Sequence, residues 1–206
     1  MRSFVIVFLL STVIINHANC QFTATMHNVM SGNDRVYDVY SNGESYRYEF
    51  KEGGTSGAVI VHPGINTTYI LMPEEEFYHK TSVDSRVSRM NDPIQGYYIY
   101  AKNADEKEVG EEIVKGVNCI KKEVHMMDQK VFTMWFSEEL NFPVRIENHG
   151  SEGTHMYLED IEDWDPMDEF FTVPDDYTEV DERMRPVVPE PEAPQSWTTV
   201  EAEVPY

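Results

Sequence analysis

Side chains able to hold a cation are gathered in one strip of this chain. Between Glu159 and Glu182 stand twelve carboxylates and no Lys, Arg or His. Oxygen donors at this density suit calcium, a hard cation that takes carboxylate ligands. The candidate ligands are Asp160, Asp163, Asp165, Asp168 and Glu169. The spacing is not that of an EF-hand, and no Gly stands at the required turn. What the strip predicts is loose calcium association, at the ~10⁻⁴–10⁻³ M strength of extracellular modules. A plain solvated acidic face is the alternative.

Other reactive groups are scattered. His27, His62, His79, His125, His149 and His155 form no HExxH and no helical i, i+4 pair. His149 and His155 flank a turn, but zinc sites add Cys or closer His spacing. Gly54-Thr55-Ser56-Gly57 misses the frame of a nucleophile elbow, and neither a P-loop nor a dinucleotide fingerprint occurs. Cys119 stands alone once Cys20 leaves with a leader; it reads as a buried small hydrophobe, with an intermolecular bridge as the alternative. No constellation calls for catalysis, and no cofactor is expected beyond weakly bound calcium.

These groups need a frame, and strand signals supply it. From Val117 to Ile161 four runs rich in Val, Ile, Phe, Tyr, Trp and Thr are each stopped by a polar or Gly/Pro cluster. Short spacers allow only antiparallel neighbours, so this stretch predicts a meander. Upstream, Asn42-Gly43 between RVYDVY and SYRYEF is a hairpin signal. Ala58–His62 and Thr68–Met72 read as two more strands, with a further edge strand at Phe77-Tyr78. Residues 21–34 carry few signals and read as a lead-in. Over 81–115 the sequence predicts a loop, with strand propensity at Tyr97–Tyr100 and a short helix within Ala104–Val114. Trp164, Phe170, Phe171, Val173 and Tyr177 predict that the acidic segment docks on the sheet. The expected fold is mainly β: a curved antiparallel sheet with little helix.

The ends carry an address and a tail. Arg2, the apolar run Phe4–Ile15 and the small residues Ala18-Asn19-Cys20 read as a secretory signal peptide, residues 1–20, cleaved before Gln21. That run is shorter than the ~20 residues a spanning helix needs. A bacterial lipoprotein with Cys20 lipidated fits poorly with His17 and Asn19. Asn66-Thr67-Thr68 is an N-glycosylation acceptor, which fits secretion. A β domain is expected over 21–180. Five prolines and six acids against two bases over 181–206 predict a disordered acidic tail. The whole chain of 206 residues carries a net charge of −21. That field repels phosphate backbones, so nucleic acid is excluded as a partner.

Three motifs in order carry a resemblance. Gly116 with Cys119 matches a G-x-x-C strand, and Trp135, Ser137, Leu140 and Pro143 match a W-x-S-x-x-L-x-x-P strand pair. Phe171, Pro174 and Tyr177 match a closing F-x-x-P-x-x-Y segment. Over roughly residues 35–180 the chain resembles the LolA/LppX-like lipoprotein carriers. The resemblance implies an open half-barrel whose concave face shelters an acyl chain or other apolar ligand. Animal ependymin-related secreted proteins are similar in fold, but they carry several paired cysteines that this chain lacks.

One strand fits that implication. Phe132, Met134 and Phe136 share one face of it and Val131, Thr133 and Trp135 the other, so it is apolar on both sides. Exposing such side chains forgoes ~1.5–3 kcal/mol each. A bound lipid or the docked segment 164–177 is expected to cover them, with Phe132, Met134, Trp135 and Phe136 lining the ligand. The leading expectation is a secreted, acidic, non-catalytic protein binding a hydrophobic or lipid-like ligand. The competing one is a calcium-associating extracellular matrix protein, as in a shell or skeleton, that meets calcium or a mineral surface.

Overall fold

The computed structural model describes residues 21–52, 54–150 and 153–180. The leader and the tail expected at 1–20 and 181–206 lie outside the described residues. Six strands follow one another in hairpin order: β1 (Gln21–Met30), β2 (Asn33–Asn42), β3 (Tyr46–Glu52), β4 (Thr55–His62), β5 (Thr67–Met72) and β6 (Phe77–Thr81). A second meander comprises β7 (Asp105–Val114), β8 (Val117–Met126), β9 (Gln129–Ser137), β10 (Phe142–Asn148) and β11 (Thr154–Asp163). Antiparallel pairing of β1 with β11 splices the two into one sheet, ordered β6-β5-β4-β3-β2-β1-β11-β10-β9-β8-β7. The two residues of β12 (Thr178–Glu179) add in parallel outside β6. The expected edge strand at Phe77-Tyr78 therefore exists, with a short cover on its outer side.

The sheet is open and curved. Register breaks at Thr23/Thr25, Glu108/Gly110, Val124/His125 and Pro143/Arg145 bend the strands that carry them. At Gly110, φ is +145°, which a side chain would resist. The connection from β6 to β7 must travel from one flank of the sheet to the other. It does so through α1 (Arg86–Asn91) and α2 (Pro93–Ala101), of which α2 packs on the inner face. Val83, Ile94 and Tyr97 from this crossing share a single core with Phe22, Val39 and Tyr48 of the first meander and Val124, Met134 and Val144 of the second.

Three readings of the sequence are corrected here. Residues 21–30 are no lead-in but a central strand, with Phe22, Ala24, Met26 and Asn28 buried in strict alternation. Ala104–Val114 is not a helix: Asp105–Val114 pairs along its length with β8, which overrides the helix propensity of its Glu and Lys residues. Tyr97–Tyr100 is not a strand but part of α2. The deciding signal is Asp92-Pro93, where the Asp92 carboxylate accepts from the N–H groups of Ile94 (2.8 Å) and Gln95 (3.2 Å) and Pro93 occupies the first turn. Ile94, Tyr97 and Ala101 then fall on one helical face against the core.

Candidate ligand-binding site

The inner face is closed mostly by α2, and among the described residues two hollows lie beside it. The first, about 430 Å³, lies at the end of the sheet formed by the β2–β3 turn and the turn before β10. Ile94, Gln95 and Tyr98 of α2 face Tyr46, Phe136 and Phe142 of the sheet across it. The second, about 290 Å³, lies toward the β10–β11 turn, where Gly96 and Tyr100 face Phe132, Ile146 and Met156. At 100° per residue, Ile94, Gln95 and Tyr98 stand on one flank of α2 and Pro93, Gly96 and Tyr100 on the other. The two hollows are thus separated by the helix and the core beneath it.

A buried polar cluster anchors the helix beside the first hollow. Asp92 is 2% exposed and also accepts a hydrogen bond from the Tyr46 hydroxyl, while Gln95 Nε2 donates to that same Tyr46 oxygen at 2.8 Å. Burial raises the Asp92 carboxyl from 3.8 to about 6, and the three hydrogen bonds it accepts offset this only in part. From the middle of α2, the Tyr97 hydroxyl donates to Glu106 Oε2 of β7 at 2.8 Å. The plug is therefore tied to the sheet at its start and at its middle.

The four side chains expected to line a ligand divide between two faces. Phe136 borders the first hollow and Phe132 the second, while Met134 lies buried in the core they share. Trp135 points to the outer face, following the strand's alternation. It is covered there by the Lys121 ammonium 4.8 Å and the Arg145 guanidinium 4.9 Å from its ring, and its indole N–H donates to Glu112 at 2.9 Å. Segment 164–177 also sits outside. Phe171 packs with Ala58, Ile60 and Leu71, and Trp164 and Phe170 close on Tyr40. Arg47 fastens it, donating to the Phe170 carbonyl at 3.1 Å with its guanidinium 4.5 Å from that ring. The inner cover expected from a lipid or this segment is instead α2, which carries too few regular helix formers to be seen in the sequence.

The remaining candidates are dispersed. Asp160, Asp163, Asp165, Asp168 and Glu169 are all exposed, and among the described residues no three His, Cys, Asp or Glu gather into a metal-holding group. His149 bonds to Thr133 at 2.8 Å, whereas His155 stacks on Tyr157. Cys119 is buried, and burial pushes its thiol up to about 11. Asn66 is exposed in a turn at φ 52°. One pair escaped the sequence reading: Ser45 Oγ lies 2.7 Å from His62 Nδ1, and His62 also bonds to the Phe171 backbone. No spacing rule links residues seventeen positions apart; only the β3–β4 pairing brings them together.

The chain matches no protein-family model and no curated sequence. Solved structures do match. An uncharacterized conserved protein from Thermus thermophilus aligns with a TM-score of 0.50 at 10% identity, over 79% of this chain and 90% of that one. MucB in its Pseudomonas aeruginosa complex with MucA aligns at 0.49 and 14%, over 79% of this chain and 60% of its own. A putative outer membrane lipoprotein-sorting protein domain from Vibrio parahaemolyticus aligns at 0.37 and 14%, over 73% and 88%. The likeness is one of fold. It is the open antiparallel half-barrel implied by the resemblance to LolA/LppX-like carriers, whereas the ependymin likeness finds no support.

Proposed function

We propose that this protein is a secreted, non-catalytic carrier that holds a hydrophobic, lipid-like ligand between α2 and the inner face of its sheet. The observation that carries the reading is the pair of largely apolar hollows on opposite flanks of a helix that otherwise fills the half-barrel. The larger falls within the ~300–1,000 Å³ usual for small-molecule sites. Its walls come from Ile94, Tyr98, Phe136, Phe142 and Val83, with a few neutral polar groups among them and Glu44 at the mouth.

The chemistry beside that hollow speaks for binding, not turnover. Ser45 and His62 make a hydroxyl–imidazole pair near it, but acyl transfer also needs free donors for the oxyanion. The neighbouring backbone donors are committed: Glu44 N and Ser45 N to Asn42 Oδ1 at 3.1 and 2.7 Å, and Gly43 N to Ser41 Oγ at 3.1 Å. His62 fastens the outer segment through Phe171. Among the described residues no helix is long and apolar enough to cross a membrane. Secretion rests on the sequence of residues 1–20, and a glycan at Asn66 on its exposed turn. Glycosidase treatment of protein from a eukaryotic secretory host should lower its mass by one glycan.

Native mass spectrometry and solvent extraction of the purified protein test the carrier reading. A bound apolar species, together with saturable Nile red fluorescence, is the expected result. Ligand-free protein that leaves Nile red dark would sink it.

A further inference from the structure

Resting on the carrier reading, we propose that the ligand's head is uncharged: the site takes a neutral amphiphile, such as a long-chain alcohol or acylglycerol, and rejects the fatty acid anion. Among the described residues, neither hollow includes a Lys or Arg in its wall. A carboxylate head entering the first hollow loses its water and gains no cation, a cost that burial of an unpaired charge always carries, whereas the second has the His155 imidazole in its wall.

Apart from Glu44 at the first hollow and His155 at the second, the polar side chains of the walls are amides and hydroxyls. Gln95, Ser41 and Asn141 border the first hollow, and Asn28, Asn148 and Thr154 the second. Amides and hydroxyls of this kind can donate to or accept from an alcohol. The charges close to the first hollow have the wrong sign for an anion. Glu44 is exposed at its mouth, and Asp92 lies buried directly behind Tyr46 and Gln95. Asp92 already accepts three hydrogen bonds, from Tyr46, Ile94 and Gln95, and is 2% exposed, so a positively charged head does not reach it directly. Nearby cations are engaged elsewhere. Lys122, whose ammonium lies 5.6 Å from the Phe136 ring, faces Glu106 and Glu108 at 3.6 and 3.7 Å.

Isothermal titration of the full chain at pH 7.4 with a matched pair, monolauroylglycerol and laurate, tests this. The glycerol ester should bind at least tenfold more tightly. Glu44→Lys, at an exposed position that should not disturb folding, should strengthen laurate binding several-fold and leave the ester unchanged. Laurate binding as tightly as the ester overturns the neutral-head inference and leaves the carrier reading intact. Failure of both ligands, with Nile red also dark, overturns the two together.

Discussion

Replacing Asp92 by Asn offers a test of how α2 is seated. The Asp92 carboxyl titrates near 3.8 when unfolded and at about 6 in the folded chain, raised by burial. Between those values the folded state holds the proton more firmly. The group's contribution is thus fully present below pH 3.8 and is lost as pH rises through about 6. At ~1.4 kcal/mol per pH unit, the whole difference is worth about 3 kcal/mol, of which about 2 lies between pH 4.5 and 7.5. Asn caps a helix as well as Asp does, so it keeps the bonds from Ile94 and Gln95 without the charge. Urea unfolding of both proteins across this range gives the comparison, and other carboxylates cancel in the difference. The stability of Asp92→Asn relative to the natural chain should rise by about 2 kcal/mol from pH 4.5 to 7.5. A difference that stays flat would falsify the account of Asp92 as a buried, desolvated anchor.

Other expectations concern the two faces of the sheet. Phe136→Asp should weaken Nile red binding at least tenfold, whereas Trp135→Phe, on the outer face, should leave it unchanged; equal effects would contradict the assignment of faces. Phe142→Ala, which removes a ring packed edge-on against Phe22 and Tyr46 at 5.2 and 5.4 Å, should cost ~3–5 kcal/mol in urea unfolding. Arg47→Ala should free segment 164–177 and speed its cleavage in limited proteolysis, while hydrogen exchange at the inner strands stays slow. Gly57→Ala should destabilise by ~1–3 kcal/mol, because the added carbon would meet Phe50 Cζ at 2.2 Å.

The sheet was legible wherever turn chemistry and alternation agreed. Asn42-Gly43 marks the β2–β3 hairpin and the breakers between Val117 and Ile161 mark the β8–β11 meander, and both stand in the structure. Segments without local signals were the ones shaped by distant partners. The first strand shows its alternation only once β2 and β11 flank it, and β7 is a strand because β8 offers it a ladder. In α2, aromatic residues with strand propensity form a helix under the control of one cap and a concave surface to fill. The site was half legible for the same reason. Alternation along β9 correctly grouped Phe132, Met134 and Phe136, but the side facing a hollow depends on curvature, which no local pattern records. Trp135, expected in the lining with them, meets Lys121, Arg145 and Glu112, contacts that only the pairing of β9 with β8 and β10 creates.

Apolar ligand is expected beside α2 on the inner face. A photoactivatable, uncharged alkyl probe, followed by peptide mapping, locates it. Labels on residues 92–101 and 136–143 are the predicted result; labels confined to the outer segment 164–177 would contradict it.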